Sequence, residues 1–273
     1  MLYLVPTPIG NLEDITLRSL RVLKKVDCIF AEDTRHTLGL LNHFDIHVPL
    51  QSCHQHNERE CAQKITDLLE QGKEIALVSD AGMPGISDPG HIIVQRVIEA
   101  GLSFTVLPGA SAATTALVLS GLPCDQFVFV GFLPRGKKQR KATILALQNE
   151  TRTMILYESP YRLHATLMEL SESLQNRNAA VCRELTKMHE ECRRGTLSAL
   201  ADHYQETVKG ECVLLIHGVD PASLSPEENE ESRLQIMEEW VAQGHKAKNA
   251  AKRAATVSVS ANQLYQLYLK KKH

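Results

Sequence analysis

The sequence predicts an α/β fold built as two α/β domains, followed by a small helical domain of helix-turn-helix type. Three observations predict it. Short apolar, β-branched runs alternate with longer amphipathic stretches, the pattern of strands covered by helices. A chain of 273 residues, 43% hydrophobic and 23% charged, has globular composition and the length for roughly two domains. Near Val219 the composition changes, first to a Pro/Ser/Glu segment and then to a basic tail.

The elements follow in order. Leu2–Val5 is the first strand, and Thr16–Lys25 reads as a helix. Cys28–Phe30 is the second strand. It runs into five polar residues, Glu32-Asp-Thr-Arg-His36, which read equally as a site or as a helix start capped by Asp33 or Thr34. Helix Glu58–Gln71, strand Ile75–Val78, helix Gly90–Ala100, strand Phe104–Leu107 and helix Ala112–Ser120 complete a first domain, 1–121, stopped by Gly121-Leu-Pro123. The second domain, 122–219, has strands Phe127–Phe132, Met154–Tyr157, Ala179–Cys182 and Cys212–His217. Its helices are Lys137–Leu147, Arg162–Leu174 and Leu197–Val208. Near-continuous apolarity in these strands suits parallel or mixed sheets covered on both faces. Residues 220–232 read as an acidic Pro/Ser linker, and 233–273 as the tail domain. There Leu234–Val241 is amphipathic, Gly244 ends it, and Lys246–Ala255 is basic and Ala-rich. Ser260 and Gln263 form a capping box opening Ala261–Lys271.

Several classes are excluded. Net charge is -2, so the whole chain does not advertise a polyanion partner. No apolar run reaches the roughly 20 residues of a membrane span. The first residues lack a basic n-region and read as a buried strand rather than a signal peptide, so a cytoplasmic location is expected. The seven cysteines, odd in number and without a C-x-x-C, are then expected to be reduced thiols. There is no G-x-x-x-x-G-K-[ST] and no G-x-G-x-x-G after the first strand.

Three turns sit where open α/β sheets bind ligands, after a strand and before a helix: Pro6–Asn11, Ser79–Gly90 and Pro108–Ser111. One alone is an ordinary turn. Three together, one of them twelve residues long with three glycines and two prolines, point to a ligand cleft. None contains a basic residue, which fits a nucleoside-like ligand without phosphates. Gly109-Ala-Ser111-Ala-Ala113 has the context of a nucleophile elbow, but Ala replaces the last glycine and no His/Asp pair stands out, so Ser111 reads as a helix cap. Cys53-His-Gln-His56 with Cys61 matches no common zinc spacing, and no metal is expected. His54, His56, Asn57 and Glu58 read instead as polar contacts at a cleft rim. Arg183–His189 repeats the polar pattern of 32–36 after a later strand.

Charge is unevenly spread. Leu133–Lys141 holds five cations (Arg135, Lys137, Lys138, Arg140, Lys141) and no acid, in a loop after a strand end. After Glu239 there is no acid at all, whereas Lys246, Lys248, Lys252, Arg253 and Lys270–Lys272 are basic. Both segments suit a phosphate-backbone clamp.

Taken in order, Leu4-Val-Pro-Thr-Pro-Ile-Gly-Asn-Leu12, Ala31-Glu-Asp-Thr-Arg-His36, Val78-Ser-Asp-Ala-Gly-Met-Pro84, Ser87-Asp-Pro-Gly90, Pro108-Gly109 and Gly131-Phe-Leu-Pro134 resemble the tetrapyrrole methylase superfamily. More closely they resemble its ribosomal branch, the small-subunit rRNA cytidine 2′-O-methyltransferases, from residue 2 through the basic tail. The resemblance implies S-adenosylmethionine in a cleft between two α/β domains, a homodimer, and small-subunit ribosomal RNA as partner. It implies cofactor contacts at Ile9 and Gly10, at Asp80, Gly82 and Met83, at Ser111 and Ala112, and on later strands at Tyr157 and Val213. Met83 stands where the branch usually carries Thr, which removes a hydroxyl but leaves a backbone contact. A ribose hydroxyl is a weak acid, so a base is expected from Asp33, Glu58, Glu184 or Lys187. Arg35, Arg135, Lys137, Lys138, Arg140, Lys141, Lys246, Lys248, Lys252 and Arg253 are the expected RNA contacts.

Two other readings compete. A methyltransferase of the same fold acting on a corrinoid or porphyrin precursor needs no phosphate clamp. A helix-turn-helix regulator with a ligand-sensing α/β domain needs a base-reading helix, whereas the last helix, with Gln263-Leu-Tyr-Gln-Leu-Tyr-Leu269, is largely apolar and suits packing.

Overall fold

Strand apolarity decides the layers. In the computed structural model, which describes residues 1–220, 230–256 and 259–272, the chain divides into two units, Met1–Gly218 and Val219–His273. The first contains two five-stranded sheets.

The first sheet uses β1 (Leu2–Leu4), β2 (Cys28–Ala31), β3 (Leu50–Ser52), β4 (Ile75–Val78) and β5 (Phe104–Val106) in the order β3-β2-β4-β1-β5. Every pairing is parallel. Parallel strands need crossovers. These are α1 (Leu17–Leu23), α2 (Thr34–His43), α3 (Glu58–Glu70) and α4 (His91–Glu99), preceded by a 3-10 turn at Leu12–Asp14. β2 and β4 are buried at every residue, because helices cover both faces. The two faces form separate cores, one around Phe30, Ile65 and Ile93, the other around Ile29, Leu41 and Leu107.

α5 (Ala112–Ser120) leads into the second sheet, β6 (Phe127–Phe132), β7 (Thr153–Glu158), β8 (Asn178–Arg183), β9 (Glu191–Thr196) and β10 (Cys212–Ile216), ordered β6-β7-β10-β8-β9. Only β6–β7 is parallel. The other pairs run antiparallel. The helices are α6 (Lys137–Ala146), α7 (Leu163–Ser173) and α8 (Leu197–His203). α5 packs its apolar side, with Ala113, Ala116 and Leu117, onto Ile155, Ala180, Val213 and Leu215.

In this first unit all eight expected strands and all seven expected helices are present, with ends within one or two residues except α8, which stops at His203, five residues before the expected Val208. Three further elements are not among them. β3 is three residues of mixed polarity, and β9 (ECRRGT) is an edge strand whose charge hides its pairing. α2 realises one of the two readings of 32–36: Asp33 caps it by accepting the Arg35 N–H at 2.9 Å.

In the second unit α9 (Glu230–Ala242), α10 (Ala247–Ala254) and α11 (Ala261–Lys272) enclose a small core of Met237, Ala250, Ala251, Ala254, Val259 and Leu264. The capping box is reciprocal: Ser260 N–H donates to Gln263 Oε1 at 3.0 Å, and Gln263 N–H to Ser260 Oγ at 3.3 Å. Gly244 takes φ +92° after α9, a left-handed position glycine tolerates. α11 gives Leu264 fully to the core and packs Tyr265 and Tyr268 against it. Most of the segment assigned as linker, 221–229, lies outside the described residues.

Candidate active site

The three turns singled out from sequence converge. Thr7 and Gly82 exchange both backbone N–H···O bonds at 3.0 Å, tying the first turn to the second. Thr7 Oγ1 donates to the Ser79 carbonyl at 3.0 Å, and Ser79 Oγ to the Gly82 carbonyl at 3.1 Å. Gly82 needs its freedom: φ is +79°, and a Cβ would sit 3.3 Å from Ile9 Cγ2. Gly10 is fixed by crowding instead. A Cβ there would lie 2.5 Å from the Leu185 carbonyl oxygen and 2.7 Å from Lys187 Cγ. The first turn of the parallel sheet is thus pressed against the turn after β8.

Between these turns lies a cavity of about 470 Å³. That volume falls in the range of small-molecule sites. Ile9, Asp80, Gly82, Met83, Ser111, Ala112, Tyr157 and Val213 all line it, so all but one of the expected cofactor contacts meet in one place. Gly10 does not line it and acts by allowing the close approach. Ser111 begins α5, yet its side chain makes no capping bond, so the cap expected there is missing. Tyr157 stands edge-on to Phe129 and Phe132, with centroids 5.1 and 5.6 Å away. No histidine is among the described lining residues, which leaves a Ser111 hydrolase without its base.

The electrostatics are one-sided. Glu32, Asp80, Asp88, Glu158, Glu184 and Glu211 line the cavity, with Lys187 the one cation among the described lining residues. Glu158 is already committed: Oε2 accepts the Thr166 hydroxyl at 2.6 Å, Oε1 accepts the Ser159 N–H at 2.8 Å, and Arg162 Nε lies 3.4 Å away. Glu184 pairs with Lys187 Nζ at 2.9 Å. Glu184 (φ +52°) and Thr186 (φ +63°) both adopt left-handed backbone, which shapes this turn. Asp80 Oδ1 accepts the Asp33 N–H at 2.9 Å. Burial, then the charges of Glu32, Asp80 and Glu211, push the Asp88 carboxyl up to about 7, partly opposed by a hydrogen bond from Ser79. Burial and Asp80 raise Glu32 as well. Glu211 carries no signal in the sequence, whereas Glu32 stands in the polar run 32–36 that reads equally as a site, and Asp88 in the long turn Ser79–Gly90, without being singled out there.

The other expected residues are placed differently. Glu58 is buried, and its Oε1 accepts the Gly90 and Ile92 N–H groups at 2.7 and 3.1 Å, capping α4. Asp33 grips Arg35 with both oxygens, at 3.1 and 2.6 Å, and Arg35 holds its carboxyl down at about 2. Neither lines the cavity. Arg140 departs from the expected RNA face. It is mostly buried, donating to Glu169 at 2.6 Å and to Thr166 at 2.8 Å. Arg135, Lys137, Lys138 and Lys141 stay exposed, as do Lys246, Lys248, Lys252 and Arg253 in the second unit. There Arg253 stacks over Trp240 at 4.7 Å. Cys53 and Cys61 belong to the core of the parallel sheet.

Comparison with known proteins decides the family. The profile of the Tetrapyrrole (Corrin/Porphyrin) Methylases matches residues 1–201. The chain belongs to the tetrapyrrole methylase family. It is 47% identical over 272 residues to "Ribosomal RNA small subunit methyltransferase I" of Halalkalibacterium halodurans, covering 98% of this chain and 94% of that one. Proteins of the same name from Bacillus subtilis and Synechocystis are 44% and 46% identical, again over 98% of this chain and over 94% and 97% of theirs. Among solved structures, a diphthine synthase (TM-score 0.62, 15% identity, 80% of this chain and 89% of that one) shares the methylase fold. So does a uroporphyrin-III-C-methyltransferase from Thermus thermophilus (0.57, 20%, 78% and 93%).

Methylases of this family take their methyl group from S-adenosylmethionine. The cavity fits that donor. Its acidic lining suits a sulfonium and an ammonium cation, and it offers no cluster of basic residues for a phosphate. The Gly82 backbone leaves room for close approach, and α5 presents its N-terminal end with no side-chain cap.

Proposed function

We propose that this methylase transfers a methyl group from S-adenosylmethionine to the 2′-hydroxyl of a cytidine in small-subunit ribosomal RNA, working as a homodimer. The observation that carries the reading is the pairing of an acidic, phosphate-averse cavity with 43–47% identity, over nearly the whole chain, to proteins named for ribosomal RNA methylation. Two exposed basic segments, Arg135–Lys141 without Arg140 and Lys246–Arg253, supply phosphate contacts that a porphyrin methylase does not need.

When bound, S-adenosylmethionine supplies an electrophilic methyl group. Asp80, Gly82, Met83, Ser111, Ala112, Tyr157 and Val213, which line the cavity together, would hold it, with Asp80 supplying negative charge and Tyr157 and Val213 apolar surface. Positioning of this kind supplies up to roughly 7–11 kcal/mol of a displacement barrier. Of the four expected bases, Glu184 and Lys187 stand in the cavity. Asp33, held at about 2, is a weak base, and Glu58 is spent on α4. Asp88, raised to about 7, is a stronger base than an ordinary carboxylate and joins Glu184 and Lys187 in the cavity lining.

Incubation with tritiated S-adenosylmethionine and, separately, free small-subunit rRNA, assembled small subunits and RNA stripped of rRNA tests the reading. Label in rRNA or subunits alone is expected. Measurable donor binding with no label in any RNA moves the acceptor to a small molecule.

A further inference from the structure

A second cavity, of about 400 Å³, lies against α2 and shares Asp80 with the first. Pro8, Leu12 and Leu40 give it an apolar wall, and Arg35, His36 and Thr37 a polar one. Three features of α2 lack an explanation within the folded chain.

The first is Thr37. It is 2% exposed, yet its hydroxyl has no hydrogen-bond partner. A helical threonine ordinarily turns its hydroxyl onto the carbonyl four residues back. Thr66 does so with Ala62 at 2.8 Å, and Thr143 with Gln139 at 3.0 Å. Thr37 does not. A buried hydroxyl left unpaired is costly unless something else pairs it.

The second is Gly39, in the interior of the same helix. Glycine weakens a helix relative to alanine. No positive φ requires it, and a Cβ there would meet nothing within 4 Å. Neither backbone shape nor close packing accounts for the missing side chain. Gly39 is exposed and lines the cavity, so the missing side chain leaves its open side wider.

The third is Arg35. Its side chain is 90% exposed, while the two bonds to Asp33 fix its plane. Three of its five N–H groups are not engaged by Asp33, and an oriented guanidinium suits a phosphate.

Resting on the methyl-transfer reading, we propose that this cavity is the acceptor subsite. A ribonucleotide swung out of the RNA strand enters it with its base against the Pro8–Leu12 wall, and the Thr37 hydroxyl, closed off in the free protein, rotates outward to pair with the base edge. A neighbouring phosphate sits on Arg35, and the ribose lies at the Asp80 wall beside the donor. Enzymes that modify one nucleotide within a structured strand take it out of the stack into such a pocket, reading it by a few polar groups among apolar ones.

The test uses Gly39→Leu, which fills the cavity, Thr37→Val, which removes the hydroxyl at constant shape, and Arg35→Ala. Gly39→Ala serves as a folding control, since it strengthens the helix. Each is assayed for melting temperature, binding of S-adenosylhomocysteine, and KM and kcat on small subunits. The expected result is unchanged S-adenosylhomocysteine binding in all four. KM should rise at least tenfold in Gly39→Leu, and by a smaller factor in Thr37→Val and Arg35→Ala. Gly39→Ala should melt no lower than wild type. Hydrogen exchange of residues 34–43 should slow when subunits bind to wild type and not to Gly39→Leu. Wild-type KM, kcat and exchange in Gly39→Leu and Thr37→Val would overturn the subsite while leaving the methyl-transfer reading intact. A wild-type protein that methylates no RNA would instead remove the reading on which the subsite rests.

Discussion

The two sheets of the first unit contribute to the larger cavity, the proposed donor site, in opposite ways. The parallel sheet gives turns: three neighbouring strand ends, rich in glycine, the first two tied together through the Thr7–Gly82 bridge, form its backbone cradle. The mixed sheet gives walls: Tyr157 on β7, Val213 on β10 and the strained Glu184–Lys187 turn close the other side. A parallel sheet brings all its strand ends to one edge, so a site there can be assembled from short contiguous motifs. A mixed sheet scatters its contributions, and each reaches the site only through the fold.

That difference can be broken at several points. The largest effect is expected at Arg140. Arg140→Met removes the close cation of Glu169 and leaves buried Glu158, 1% exposed, with Arg162 as its one remaining cation, and should cost about 3 kcal/mol, read as a lower denaturation midpoint. The salt dependence of RNA binding should not change, because this arginine faces the interior. An altered salt slope with normal stability would return Arg140 to the RNA surface.

Next comes the seam between the two contributions. Gly10→Ala drives a methyl group into the Leu185 carbonyl, an overpacking cost of about 1–3 kcal/mol. If that strain falls on the cavity, donor affinity should drop about ten- to hundredfold in titration calorimetry. Wild-type affinity would mean that the turn after β8 moves freely and is no wall.

A pH effect is expected to be smaller. The carboxyl of Asp88 sits at about 7 in the folded protein, above the value near 3.9 it has when unfolded. The folded state therefore binds more protons between those values, and stability falls as pH rises through about 4 to 7. Asp88→Asn should accordingly raise the melting temperature at pH 8 more than at pH 5. The same ionisation favours a cationic donor. Binding of S-adenosylmethionine should tighten roughly three- to tenfold from pH 6 to 8, while the uncharged thioether product responds less. A pH-independent ratio of the two affinities would contradict this role. Single exposed cations matter least: Lys248→Ala or Lys138→Ala should each lower the salt slope of RNA binding by about 1.

The same contrast explains what the sequence revealed. The three parallel-sheet turns are legible as a cleft because each lies in a contiguous strand–turn–helix; the individual contacts at Ile9, Asp80, Gly82, Met83, Ser111 and Ala112 come from the family resemblance. Glu211, one residue before β10, and Asp88, in the middle of a flagged turn, carry no local signature, since what distinguishes them is burial beside other carboxylates. Glu58 illustrates the reverse: a polar cluster drew attention to it, but its carboxylate caps a helix 32 residues away in sequence. Arg140 looked like its neighbours in a run of cations, and only helix periodicity, which turns it toward α7, separates it from Lys137, Lys138 and Lys141. β9 stayed hidden because an edge strand tolerates charge.

The central claim is transfer to a ribose oxygen, and alkaline hydrolysis tests it directly. Ribosomal RNA labelled from tritiated S-adenosylmethionine should yield its label in an alkali-resistant dinucleotide, because a methylated 2′-oxygen cannot assist strand cleavage. Label recovered in mononucleotides would place the methyl group on a base and contradict the account.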